Sequence, residues 1–168
     1  MGKTYEKYMT SQRRVKALEE ELAVLKPNYP SGFPIFNIRY LDMRHELEDM
    51  GLVCQMKNQY VPDTWVPYTT KADIEQIIPF LTYPADYYVY QGADCEDYCK
   101  WAHVDATRIF KLGYSVIQVW GDTPLGSHGF NLVKTQEGYF SFEPNAGFDF
   151  AGTLFLIGEN EYYPQSWR

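Results

Sequence analysis

The sequence predicts an α+β domain, with helices on its N-terminal side and an antiparallel meander after them. Three observations predict it. Helical segments with capping and stop signals are confined to the part before Gly113. Four β-rich runs fill the part after it. A length of 168 residues, 45% hydrophobic and 22% charged, suits one globular domain with a small appendage and a real core. Segregated helices and strands are the α+β layout.

Taken in order, residues 4–26 read as a helix. Val15, Leu18, Leu22 and Leu25 recur at alternating steps of three and four and form one narrow apolar stripe. Such a stripe docks on its own domain or builds a homo-oligomer, and two heptads do not separate the two. The run Lys26-Pro27-Asn28-Tyr29-Pro30-Ser31-Gly32 ends it, so 1–30 is assigned as N-terminal helix and linker and 31–168 as the main domain. A second helix is expected over 37–50, closing at Gly51. A third starts near Thr70, with Asp73 three residues on, and stops before Pro79. The stretch from Tyr60 to Gln91, rich in aromatics and proline, reads as an ordered winding connection. Asp94 to about Lys111 makes a helix ending at Gly113. Strands are expected at Tyr114–Trp120, His128–Thr135, Tyr139–Glu143 and Thr153–Ile157.

Composition narrows the function classes. A net charge of −7 argues against nucleic acid as partner, because phosphates demand a basic face. No run of about 18 apolar residues is present to span a bilayer, and Met1-Gly2-Lys3-Thr4-Tyr5-Glu6 has neither a signal-peptide core nor the Ser or Thr of a myristoylation site. Three cysteines, none in a CxxC pattern, imply no disulfide framework. A reduced, cytoplasmic location is the expectation, and it suits a free thiol. Fifteen tyrosines pack a core or line a groove for peptide or sugar.

The chemistry concentrates in three segments. In Gly92-Ala93-Asp94-Cys95-Glu96-Asp97-Tyr98-Cys99, Asp94 and Asp97 have the spacing of a capping box, which sets Cys95 at the first position of a helix. Unpaired N–H groups and the positive helix end favour a thiolate there and can also donate to an oxyanion. Asp94, Glu96 and Asp97 act against it, because nearby negative charge raises a thiol pKa. An imidazolium in contact must therefore outweigh them, and His128, opening the run Gly129-Phe130-Asn131-Leu132-Val133, is the candidate. Cys99 and Cys54 are assigned to packing. His103 shares a helical stripe with Cys95 and Cys99, so a Cys2His2 metal site with His128 is an alternative, although its spacing is not that of a structural zinc site.

Phe142-Glu143-Pro144-Asn145 offers a third member. A hairpin with the four-residue loop Thr135–Gly138 pairs Lys134 with Tyr139, placing Asn145 opposite His128 and Glu143 diagonal to it. Either group can fix the tautomer of the ring; a carboxylate also strengthens the imidazolium, which favours Glu143 and leaves Asn145 as the alternative.

These three segments resemble the transglutaminase-like cysteine peptidase superfamily, and are especially similar to bacterial transglutaminase-like proteinases and small relatives in phage and prokaryotes. The likeness covers about 91–150. It implies a papain-like core, a Cys-bearing helix packed on an antiparallel sheet, with extra N-terminal helices. It also implies Cys95 as nucleophile, His128 as general base and Glu143 as orienting acid, with Gln91 as a candidate oxyanion donor. No cofactor or metal is implied. Gly129 stands where the family usually has Ala, and Glu143 where many members have Asp. The expected function is thiol-dependent acyl transfer on a peptide, protein or cell-wall amide, as peptidase, amidase or transglutaminase. The alternatives are a non-catalytic peptide- or glycan-binding module using Tyr83–Tyr90, and a phage structural protein assembled through the N-terminal helix.

Overall fold

The computed structural model describes residues 14–16, 27–55 and 64–168. Its elements are β1 (Phe36–Arg39), α1 (Tyr40–Asp49), β2 (Val53–Cys54), β3 (Trp65–Tyr68), α2 (Lys71–Ile77), α3 (Cys95–Asp105), β4 (Val116–Thr123), β5 (Gly126–Thr135), β6 (Gly138–Phe142) and β7 (Tyr163–Trp167), with short 3-10 turns between them. They make a mixed α+β arrangement: a five-stranded sheet in the order β2-β7-β4-β5-β6 and a separate antiparallel pair, β1 with β3. The large sheet is antiparallel except at its β2 edge, where Val53–Cys54 runs parallel to β7.

Side-chain alternation along β4 and β5 explains the layering. Ile117, Val119, Phe130 and Leu132 pack with Tyr40, Met43 and Leu47 of α1 and with Tyr162 and Trp167. Val116 and Val133 pack instead with Ala102 of α3 and with Ile74 and Ile77 of α2. The sheet is thus covered on both faces, which is why its central strands read as unbroken apolar runs.

Local signals set several boundaries. Thr70 and Asp73 form the expected capping box at the start of α2. Gly51 closes α1 at a φ of +87°, a backbone shape that costs a side-chain-bearing residue energy. After α3 the chain makes a π turn over Ala106–Phe110 and stops at Lys111 in the left-handed region, two residues before the glycine expected to end it.

Two expectations need correction, and one strand was not expected. The segment 37–39 is not helical: Phe36–Arg39 pairs with Trp65–Tyr68 and the helix starts at Tyr40. Thr153–Ile157 is not a strand, and only Phe155 bridges the sheet, exchanging two hydrogen bonds with Ser141. The edge of β4 is occupied instead by β7, whose Pro164 and polar Gln165-Ser166 hide it from a search for apolar alternation. Pro164 fits where the β4–β7 register shifts, opposite Gly121. A Cβ on Gly121 would collide with the Tyr163 carbonyl, so the approach requires glycine.

Of the expected N-terminal helix, residues 14–16 are helical and the rest lies outside the described residues. Tyr29, assigned to the linker, packs edge-on against Phe80 and Phe110 at 5.2 and 5.7 Å, so the packed unit reaches back to it. Among the described residues no helix is long and apolar enough to cross a membrane.

Candidate active site

Cys95 is the first residue of α3, with Asp94 as N-cap. The Asp94 N–H donates to the Asp97 carboxylate at 3.3 Å, and the Asp97 and Tyr98 N–H groups donate to the Asp94 carbonyl. Among the described residues no backbone carbonyl accepts from the N–H groups of Cys95 and Glu96. Gln118 fixes this turn to β4: its side-chain amide donates to the Glu96 carbonyl at 2.9 Å. One turn later Asn131 of β5 donates to the Cys99 carbonyl at 3.3 Å. β5 passes close beneath the helix at Gly129, where a Cβ would stand at ordinary contact distance, 3.6 Å from the Cys95 sulfur and 3.5 Å from the Glu96 nitrogen.

His128 brings two partners together. Its Nε2–H donates to Glu143 Oε2 at 2.8 Å. The Cys95 sulfur lies beside Gly129, the neighbour of His128 on β5, and thiol and ring shift each other's pKa. With Nε2 committed to the carboxylate, Nδ1 is the nitrogen left for the sulfur's proton. The ring packs against Phe148 at 5.2 Å and edge-on to Tyr162 at 6.0 Å.

The β5–β6 register pairs Lys134 with Tyr139 as expected, and the turn is shorter than expected because Thr135 also pairs with Gly138. Pairing ends at Asn131–Phe142, so Glu143 leaves the sheet just where its diagonal position meets His128. It is 1% exposed and fully bonded: Oε2 also accepts from the Tyr162 hydroxyl at 3.2 Å, and Oε1 from the Asn145 N–H at 2.9 Å. Asn145 is turned away, its side-chain oxygen accepting from the Gly147 N–H. The winding connection holds this segment in place: Tyr83 N–H donates to the Pro144 carbonyl and its own carbonyl accepts from Ala146. Of the two candidate third members, the geometry selects Glu143.

Electrostatics follow from these contacts. The interaction with His128 pulls the Cys95 thiol below its ordinary pKa; partial burial opposes this, the Gly129 N–H assists, and Asp94 opposes. Burial works against the imidazolium of His128, yet its interactions with Cys95 and Glu143 outweigh that and push its pKa up to about 9. Both shifts favour a thiolate–imidazolium pair. The acidic surroundings are softened by Lys100, which pairs with Glu96 at 3.4 Å and Asp97 at 3.0 Å. Cys99, by contrast, is fully buried, which pushes its thiol well above the ordinary range and makes it inert.

No family model, curated protein or solved structure matches this chain.

Gln91 stands apart from the expected role. It is exposed, at a φ of +57°, in the tight turn between Val89 and Ala93, and no described contact brings it to Cys95. The Cys2His2 alternative is not assembled: His103 Nδ1 is bonded to the Val116 carbonyl at 2.7 Å. Among the described residues the three metal-capable side chains that do gather are Asp94, Glu96 and Asp97, two of them engaged by Lys100.

Tyr162, Gln118, Asn131, Lys100 and Phe148 were not singled out from the sequence. Gln118 and Asn131 carried a usable signal, an amide inside an apolar strand that must find a buried partner. Tyr162 carried none, being one tyrosine among fifteen.

Proposed function

We propose that this chain is a thiol-dependent acyl-transfer enzyme of the transglutaminase-like, papain-like type, acting on an amide or isopeptide bond. One observation carries the reading: a helix-end thiol and a buried carboxylate engage the same imidazole, Glu143 at 2.8 Å and Cys95 through its sulfur.

In this mechanism the Cys95 thiolate attacks the carbonyl carbon, and a sulfur–carbon bond forms as the carbonyl π electrons move to oxygen. N–H groups of Cys95 and Glu96 offer the stabilising donors. Collapse breaks the carbon–nitrogen bond, and the imidazolium of His128 gives its proton to the departing amine. His128 then takes a proton from water or a second amine, which attacks the thioester and regenerates the thiol. Glu143 sits behind the ring and holds its orientation, the role of the third member of a triad. The reaction needs no cofactor or metal, and the substrate is a peptide, protein or cell-wall amide.

The test is alkylation. Iodoacetamide at neutral pH is expected to modify Cys95 rapidly in the folded protein, and Cys95→Ala is expected to remove the fast phase with the fold intact by circular dichroism. Fast labelling persisting through Cys54 or Cys99 would defeat the assignment.

A second reading is favoured by a different observation. Tyr87, Tyr88, Val89 and Tyr90 are all exposed just before Cys95, a ridge suited to holding peptide or glycan without chemistry. An ordinary Cys95 thiol pKa, measured by the pH dependence of alkylation, would favour that binding module.

A further inference from the structure

Four consecutive large side chains stand in solvent just before the nucleophile: Tyr87, Tyr88, Val89 and Tyr90 are between 45% and 77% exposed. Chain path ties this ridge to both reacting groups. At its start Ala85 abuts Gly147, where a Cβ would stand 3.2 Å from the Ala85 methyl, and the next residue, Phe148, packs on the His128 ring. Tyr98 of α3 pins the same end, its hydroxyl donating to the Pro84 carbonyl at 2.7 Å. At its far end the chain turns over 89–93 and enters α3 at Cys95. Tyr90 and Cys95 are five peptide units apart, so their Cα atoms lie within about 19 Å of each other.

A ligand meets side chains here, not backbone. The N–H groups of Tyr87, Tyr88, Val89, Gly92 and Ala93 all donate to carbonyls within 84–93. A peptide that adds itself as a strand needs such groups free. Phenol rings suit a different partner. Each has an apolar face and a hydroxyl at its edge, which matches the C–H face and hydroxyl rim of a sugar ring. A tyrosine also loses little conformational freedom when it stacks. Charge narrows the class further. From Ala72 to Cys99 the chain has no Lys, Arg or His, while Asp86, Asp94, Glu96 and Asp97 flank the ridge. An anionic polysaccharide would be repelled there.

Resting on the acyl-transfer reading, we infer that Tyr87–Tyr90 is the platform that holds the substrate, and that the substrate amide is borne on a neutral glycan. The tyrosines stack on sugar units, and the amide attached to the glycan lies against Cys95. Binding energy from the remote sugar units then serves to position the reacting carbonyl.

Chitohexaose, a neutral glycan with an amide on every unit, is the probe. Calorimetric titration of the full chain is expected to show saturable binding. Tyr90, 77% exposed in the turn, can be changed with little strain on the fold. Tyr90→Ala is expected to weaken binding about tenfold, and Tyr90→Phe, which keeps the ring, to hold it within about threefold. Protection of the thiol is the second readout. At about ten times its Kd, chitohexaose is expected to slow alkylation of Cys95 by iodoacetamide at least about fivefold, and at most about twofold in Tyr90→Ala. Absence of saturable binding, equal binding of an acidic hyaluronan hexasaccharide, or tighter binding of a hexalysine peptide would overturn the inference. So would chitohexaose that binds and leaves the alkylation rate unchanged, with acyl transfer still standing. Slow alkylation of Cys95 in the free protein would overturn the acyl-transfer reading and this inference with it.

Discussion

His128 is held on both sides by groups that want it charged, and this makes its behaviour with pH distinctive. Its raised pKa and the lowered pKa of Cys95 belong to one coupled pair. Below the lowered thiol pKa the sulfur is protonated and alkylation is slow; above it the thiolate is present, so the rate is expected to reach its plateau at a lower pH than that of an ordinary thiol. Above about pH 9 the imidazolium is lost. Alkylation continues there, because a bare thiolate still reacts, whereas turnover falls, because no acid remains for the departing amine. Parallel pH profiles of alkylation and turnover check this divergence. The linked effect on stability has a definite sign. A histidine raised from 6.5 to about 9 contributes stability that is complete below pH 6.5 and fades as the pH climbs through 9.

Also at this scale, Tyr162→Phe removes one hydroxyl from a buried carboxylate. A hydrogen bond to a charged acceptor contributes about 1.5–3 kcal/mol, and the observed 3.2 Å contact is at the long end, so a loss of about 1.5 kcal/mol is expected by chemical denaturation. The acid limb of the alkylation profile is the second readout and shifts upward if Tyr162 orients Glu143. Glu143→Gln is expected to move that limb further, since the amide cannot sustain the imidazolium. Cys95, His128 and Glu143 were legible in the sequence because a helix start, the head of an apolar run and a strand end are local signals, although β5 itself begins two residues before His128, at Gly126. Tyr162 was not, because its role depends on a chain crossing 19 residues after Glu143.

At the level of elements, the hairpin register decided which group reached the histidine. Parity along β5 and β6 was readable, and it narrowed the choice to Glu143 and Asn145. The choice between them came from where pairing stops, and that depends on Tyr83 pulling Pro144 and Ala146 out of the sheet. Strand β7 was illegible for a related reason: proline and two polar residues pair with β4 only because Gly121 clears space for them. Gly121→Ala is accordingly expected to cost at least about 2 kcal/mol, in the range of overpacking, and to lower Tm in calorimetry. Gly129→Ala should behave differently. Its new methyl would make ordinary contacts of 3.5–3.6 Å with Glu96 and Cys95, so folding and alkylation rate are both expected to survive.

Across the whole molecule, the two cores on either side of the sheet meet different parts of the site. The α3 side carries the sulfur, and the α1 side, through Tyr162, steadies the acid. Trp167 belongs to the second of these and is 1% exposed. Trp167→Ala is expected to cost about 3–5 kcal/mol, a large share of the 5–15 kcal/mol typical of a domain. Urea unfolding measures it, and fast alkylation of Cys95 should decline along with the folded fraction.

The strand order has a temporal side. Because β7 lies between β2 and β4, residues 162–167 must be inserted after every other strand has been made. While they remain inside the ribosomal tunnel, a nascent chain holds Cys95 and His128 but neither the hydroxyl behind Glu143 nor a closed edge on β4. The support behind its nucleophile is completed only when β7 joins the sheet.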